Sequence, residues 1–198
     1  MNVTDCAKTG AVALTFDDGP DEEFSPKVLE ILKAYGVRAT FFCLGRQVER
    51  FPSILERMAH DGHSIGNHSW DHPHLPTLSL DQIEWQLETT SDRIQAVTGH
   101  RPTLVRPPYG HVDETLSSLI DRMGYRTILW DVDSGDWQGL PGPHIAAVVI
   151  ANLHPGAVVL QHTGAHAAGT VDALPYLLAV GQRMGFRFVP IESPDYMP

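Results

Sequence analysis

The sequence predicts an α/β fold, a distorted and incomplete (β/α) barrel of about seven parallel strands, and three observations carry that expectation. Short apolar or β-branched runs alternate with segments of helical period across short loops, which means parallel pairing with right-handed crossovers. An open doubly wound sheet would want a glycine-rich dinucleotide fingerprint after the first strand, and "DDGPDE" is not one. Polar clusters follow five of the runs at their C-terminal ends, the face on which β/α barrels build active sites.

"AVALTF" reads as the first strand, closed by Asp17, Asp18 and the turn signal Gly19-Pro20. Neighbouring strand residues face opposite ways, so the two acids are expected to point apart and hold separate roles. Ser25 as N-cap and Pro26 at the first helical position open a helix running to about Tyr35, with Gly36 as its stop. "RATFFC" is the second strand, a helix runs through "PSILERMAHDG", and "HSIGNHS" is a weaker third strand. Ser79 with Gln82 has the form of a capping box opening the longest helix, whose stripe of Ile83, Leu87, Ile94 and Val97 ends at Gly99. "TLVR" is the fourth strand, followed by a helix from Asp113 to Met123; "RTILWDV" is the fifth and "AVVLQH" the sixth. A helix through "VDALPYLLAVGQRM" leads to a short last strand, "FRFVP". With no glycine-rich linker, repeat or low-complexity tract, residues 1–198 read as one domain.

A chain of 198 residues buries a core without disulfide or metal staples. Its 24 acidic against 14 basic residues, with lysine only at Lys8, Lys27 and Lys33, argue against nucleic acid or an anionic membrane as partner. No apolar run approaches the ~20 residues of a membrane span, and no signal peptide precedes the first strand. Met1 before a polar segment reads as a start residue on a trimmed chain. A Cys6–Cys43 bridge is not expected, because Cys43 falls near the end of one strand and Cys6 before the start of its neighbour.

The polar clusters carry the chemistry. His68 and His72, four apart in "NHSWDHPH", together with one carboxylate supply the three-ligand open site of catalytic zinc. His74 rivals His72, and Pro73 between them limits how both could bind one ion. In "RPPYG" two prolines stiffen the loop, and Arg106 in a site crowded with acids is expected to pair with a carboxylate and aim it. His162 ends an apolar strand opposite the metal candidates, where it suits a general acid; Trp137 beside Asp136 suits a sugar face. "ILWDVDS" has the D-x-D form of aspartate-nucleophile phosphatases, but those need a later lysine, and none follows Lys33.

"TFDDGP", "HSWDH", "RPPYG", "DSGDW" and "LQH" occur in the order of the motifs of the polysaccharide deacetylase family (carbohydrate esterase family 4, the NodB homology domain), which the chain resembles from about residue 10 to 190. The resemblance implies a distorted β/α barrel with a divalent metal, zinc first and cobalt or nickel as alternatives, that removes acetyl groups from carbohydrate. By resemblance Asp17 is the catalytic base, and Asp18, His68 and His72 are metal ligands. Arg106 orients the base, the Tyr109 backbone N–H is an oxyanion donor, His162 is the general acid and Asp136 tunes it. Trp137, Leu160 and Pro107 are similar to walls of the acetyl and sugar pocket. Thr163 departs from the aspartate the family often has after its last histidine. An N-acetylated polysaccharide or oligosaccharide is then the partner, a monomer the expected state, and the outside or surface of the cell the place. An acetylxylan esterase and a catalytically silent carbohydrate-binding module are the rival expectations.

Overall fold

The computed structural model describes residues 10–164, 167–193 and 196. Cys6 lies outside them; Cys43 carries a free, buried thiol. The elements are β1 (Ala11–Asp17), α1 (Phe24–Ala34), β2 (Thr40–Cys43), α2 (Gly45–Arg50), α3 (Pro52–His60), β3 (Ser64–Asn67), α4 (Leu80–Thr98), β4 (Leu104–Val105), α5 (Glu114–Arg122), β5 (Arg126–Thr127), β6 (Val132–Asp133), α6 (Gly142–Asn152), β7 (Val158–His162), α7 (Ala168–Arg183) and β8 (Arg187–Phe188). The strands pair in parallel in the order β5-β4-β3-β2-β1-β7-β6, and β8 pairs the first residues of β1. This is the incomplete (β/α) barrel the sequence predicts, with β1 at its centre.

Every residue of β1 is buried, which is why its sequence is a continuous apolar run and not an alternating one. Val12, Leu14 and Phe16 pack outward on Val28, Leu29 and Leu32 of α1 and on Leu174 and Leu178 of α7. Ala11 and Ala13 face the barrel interior with Phe42, Leu104 and Ile128. By the strand's period, Thr15 and Asp17 continue that inner row. In register, Asp17 stands beside Phe42 of β2 and His162 of β7, so three strand ends meet at one level.

The expected fifth strand divides. Its start is β5, on one edge of the sheet beside β4, and its end is β6, on the other edge beside β7. Residues 128–131 cross the opening between them: the Ile128 amide donates to Val105 and the Asp131 amide to Val158. Pairing partners exist at both ends of the run but not in the middle, so one apolar segment serves two edges. The α1 cap also differs from expectation. Ser25 sits inside the first turn, and the Asp21 carboxylate accepts from the amides of Glu23, Phe24 and Ser25. The Ser79–Gln82 capping box and the left-handed stop at Gly99 form as expected.

Two helices carry no clear signal in the sequence. α2 is a single short stretch, and α6 is so uniformly apolar that it lacks a helical stripe. Its contact with α7 depends on small residues: a Cβ on Gly142 would stand 2.6 Å from Cβ of Asp172.

One buried histidine couples the fold to pH. His63 is buried, its Nδ1 accepts the Ala39 amide at 3.0 Å, and burial pushes its pKa down to about 4. A folded pKa below the unfolded ~6.5 means the folded state binds fewer protons, so the contribution is complete above pH ~6.5 and drains away towards pH 4. His63→Asn retains an acceptor without the titration. Urea unfolding across that window should therefore show a smaller acid-side loss of stability in the variant, by up to about 3 kcal/mol. Parallel profiles for the two proteins would contradict this.

Candidate active site

Asp17 ends the inner row of β1 and is almost fully buried. Its Oδ1 accepts from Nη1 of Arg106 at 2.8 Å. Arg106 is wholly buried and spends its donors on three further acceptors: Nη1 also reaches Oγ1 of Thr15 at 2.7 Å, while Nε and Nη2 donate to the Ile128 and Leu129 carbonyls at 3.2 Å. Its guanidinium carbon lies 4.3 Å from the Phe42 ring centroid and 5.5 Å from that of Trp130. Burial pushes the Asp17 pKa above the ordinary carboxylate value, and the charges of Arg106 and His162 pull it back only in part. A carboxylate so placed stays aimed, and it is more basic than a solvated one.

Strand alternation would send Asp18 towards the helix layer. Instead its φ of 73° turns it back, and Oδ1 lies 3.6 Å from Nε2 of both His68 and His72. His68 donates from Nδ1 to the Arg106 carbonyl at 2.6 Å; a carbonyl only accepts, so Nδ1 carries the proton and Nε2 is a free lone pair. Burial drives the His68 pKa down to about 3, keeping the ring neutral. Asp18 Oδ1 is buried without a hydrogen-bond partner, and the three donor atoms lie within 4.8 Å of one another. Two ligands about 2.1 Å from an ion at a tetrahedral angle stand about 3.4 Å apart, close to the spacing here. The donor set fits a divalent cation. His74 does not join it: the ring turns away to His111, with His74 Nε2 2.7 Å from His111 Nδ1.

The opposite wall holds His162. Its Nδ1 lies 2.7 Å from Asp136 Oδ1, while Asp136 Oδ2 accepts the His162 amide at 2.8 Å and the Thr170 hydroxyl at 2.6 Å. Burial lowers the His162 pKa, but the hydrogen bond and charge of Asp136, with the charges of Asp17 and Asp18, outweigh it and raise it to about 9. The imidazolium is therefore the neutral-pH form, with Nε2 left for the cavity. Thr163 takes no part in that pair. Its amide donates to the Asp17 carbonyl at 2.9 Å, and a Cβ on Gly19 would meet its Oγ1 at 2.5 Å.

These groups surround one open cavity of about 600 Å³, lined also by Tyr109, Trp137 and Leu160. Of the expected residues, Arg106 and Asp136 stand behind the lining. Pro107 is not on the wall as expected; it is buried, and its carbonyl accepts the Gly110 amide. Trp130, His111 and Asp133 do line the cavity and were not singled out from the sequence. Trp130 sits in the segment crossing the barrel opening, inside the run expected as the fifth strand. Its signal is Gly110, at which a Cβ would stand 2.6 Å from the indole. The loop carrying His68 and His72 is held by α4: Asn67 Nδ2 donates to Leu87 O and Ser91 Oγ, and Gln86 Oε1 accepts the Trp70 amide. Among the described residues, the non-glycine residues with positive φ are Asp18, Ser69, His72 and Tyr109, all of them here.

The fold and site together define a class: a (β/α) barrel with a candidate metal triad, a buried carboxylate and a proton-carrying imidazole at its C-terminal mouth, the equipment of a hydrolase. Residues 4–128 match the family Polysaccharide deacetylase, and the chain belongs to that family. It is 42% identical over 184 residues to a peptidoglycan-N-acetylglucosamine deacetylase of Bacillus cereus, covering 92% of this chain and 67% of that protein. A crystal structure of a peptidoglycan N-acetylglucosamine deacetylase, in complex with a naphthalenyl N-oxidanyl-benzamide, superposes with a TM-score of 0.90 at 41% identity, covering 93% of this chain and 87% of that one. A CE4 family pseudoenzyme from Bacillus anthracis superposes with a TM-score of 0.87 at 32% identity, covering 93% and 65%.

Arg106→Met would leave the Asp17 charge buried without its partner. Stability in urea should fall by about 3–5 kcal/mol, the cost of breaking a buried ion pair from one side. A loss below about 1 kcal/mol would mean that the pair does not organise the barrel interior.

Proposed function

We propose that this protein hydrolyses N-acetyl groups from N-acetylglucosamine-containing glycans, with peptidoglycan as the first candidate polymer and chitin-type oligomers as the second. The observation that carries the reading is one cavity with the Asp18–His68–His72 triad on one wall, the Asp136–His162 pair on the other and Asp17 between them. The named relative supports peptidoglycan as polymer, and an extracellular place of action goes with it. Residues 1–198 act as a single deacetylase domain in this reading.

Asp18, His68 and His72 would hold a divalent cation, whose Lewis acidity polarises an acyl carbonyl and acidifies water; zinc suits two imidazoles and a carboxylate, and cobalt or nickel accept the same donors. Asp17, paired with and aimed by Arg106, takes a proton from the attacking water, a contribution of about 10²–10⁴ in rate. The Tyr109 N–H donates to the developing oxyanion. His162, protonated at neutral pH, delivers the proton that an amine needs in order to leave. Trp137 and Leu160 flank the acetyl-bearing sugar. The pseudoenzyme relative makes a silent glycan-binding module the second reading; the intact set of acid, base and donor triad speaks against it. An ester substrate such as acetylated xylan would use the same groups but depend less on His162.

Dialysis against a chelator should abolish acetate release from peptidoglycan and N-acetylglucosamine oligomers, and added zinc or cobalt should restore it. In elemental analysis, Asp18→Ala and His68→Ala should lose metal, whereas Asp17→Asn should keep metal and lose turnover. The reverse pattern for the two acids would exchange their roles.

His162→Ala should damage amide hydrolysis far more than hydrolysis of an activated aryl acetate, whose phenolate leaves unaided. On the amide, kcat/KM should fall on the alkaline side as His162 loses its proton, at or below pH ~9 once a cation adds its charge to the site. Asp136→Asn removes the charge that raises His162 and should move that limb towards acid. Equal losses on both substrates would withdraw the general-acid role.

A further inference from the structure

His74 and His111 stand outside the machinery described above. His74 follows Pro73 two residues after a proposed ligand, and its carbonyl accepts the Thr77 amide and hydroxyl. His111 closes the 3₁₀ turn Pro108–Gly110 on the neighbouring β4 loop. The two rings meet edge to face with centroids 4.9 Å apart, and His74 Nε2 lies 2.7 Å from His111 Nδ1. Tyr109 flanks both, at 6.0 Å from His74 and 6.2 Å from His111, and it also lies 4.6 Å from His72. His111 is exposed and lines the cavity, and His74 is half-buried. The pair therefore bridges two catalytic loops at the mouth.

We propose that His74 and His111 form a second, weaker transition-metal site, a two-imidazole clamp for zinc, nickel or copper(II) at the cavity rim. Imidazole is a preferred ligand of these ions, and two nitrogens already face each other on backbone held by local hydrogen bonds. A zinc ion about 2.0–2.1 Å from each nitrogen at a tetrahedral angle needs them about 3.3–3.4 Å apart. The rings open by about 0.6–0.7 Å to accept it, within the freedom of surface side chains. Whichever ring donates in the free pair moves its proton to its other nitrogen, so two neutral rings bind the ion without net proton loss. Water completes the coordination. With two protein ligands against three, this site fills after the Asp18–His68–His72 site. Once filled, it ties the two loops together and sets a dication beside the sugar entrance, so excess metal inhibits.

Equilibrium dialysis of the full chain against increasing zinc, with elemental analysis, tests this. The wild type should take up two ions in succession. His74→Ala and His111→Ala should each abolish the weaker one and keep the tighter. His68→Ala should do the opposite, which separates failure of the rim site from failure of the triad. Copper(II) added to His68→Ala should give an electron paramagnetic resonance spectrum with two nitrogen couplings, absent from the His68→Ala, His111→Ala double variant. Thermal unfolding of the variants checks that the fold is kept. A wild type that saturates at one zinc, lost with His68, overturns the proposal, as does a second ion that survives in both rim variants.

Discussion

A single buried guanidinium holds the site and the barrel together. Arg106 fixes the Asp17 carboxylate and Thr15 of the central strand, and with its remaining donors takes two carbonyls of the segment crossing the barrel opening. Its own backbone matters as much. The Arg106 amide donates to Asn67, and its carbonyl accepts Nδ1 of His68 and so sets the tautomer that leaves Nε2 free for a metal. The buried Asp17 carboxylate, the candidate metal donor His68 and the barrel seam therefore share one residue. A lysine, a point charge with rotatable donors, would not span four acceptors in a plane while lying against Phe42 and Trp130.

Electrostatics divides the cavity into two halves with opposite protonation. Burial keeps His68 neutral with a lone pair on Nε2, whereas Asp136 holds His162 as a cation with a proton to give. The residue type is the same and the environment differs: the first ring faces a backbone carbonyl, the second a buried carboxylate. Environments that push titratable groups apart are how one site supplies an acid and a base at one pH.

The geometry that brings the side chains together is strained at its turns. Left-handed backbone at Asp18, Ser69, His72 and Tyr109 costs on the order of 1–3 kcal/mol each and persists where surroundings over-determine it. Those surroundings are visible. Asn67 Oδ1 accepts the Ser69 amide, Ser69 Oγ the His72 amide, and Gln86 grips Trp70 and Asp71 from α4. A helix that the sequence marks by its capping box and stripe thus serves as the mould for the loop carrying His68 and His72.

The sequence by itself determined the β/α alternation, the central buried strand, and the presence of Asp17, Asp18, His68, His72, Arg106, Asp136 and His162 at strand ends. Strand and helix periods are local properties of the chain, and a strand in parallel pairing places its C-terminal end on the same face as its neighbours'. Tertiary structure alone decided the rest. That Asp18 turns back to the site depends on a left-handed φ that no propensity assigns to aspartate at that place. "RTILWDV" splits between two sheet edges because pairing partners lie far away in the chain, at Val105 and Val158. His72 becomes a ligand candidate and His74 a rim residue because His111, 37 positions on, claims the second ring. Pro107 is buried and Trp130 exposed to the cavity for the same reason: which face of a loop meets solvent is settled by contacts across the fold, and those are not written in local spacing.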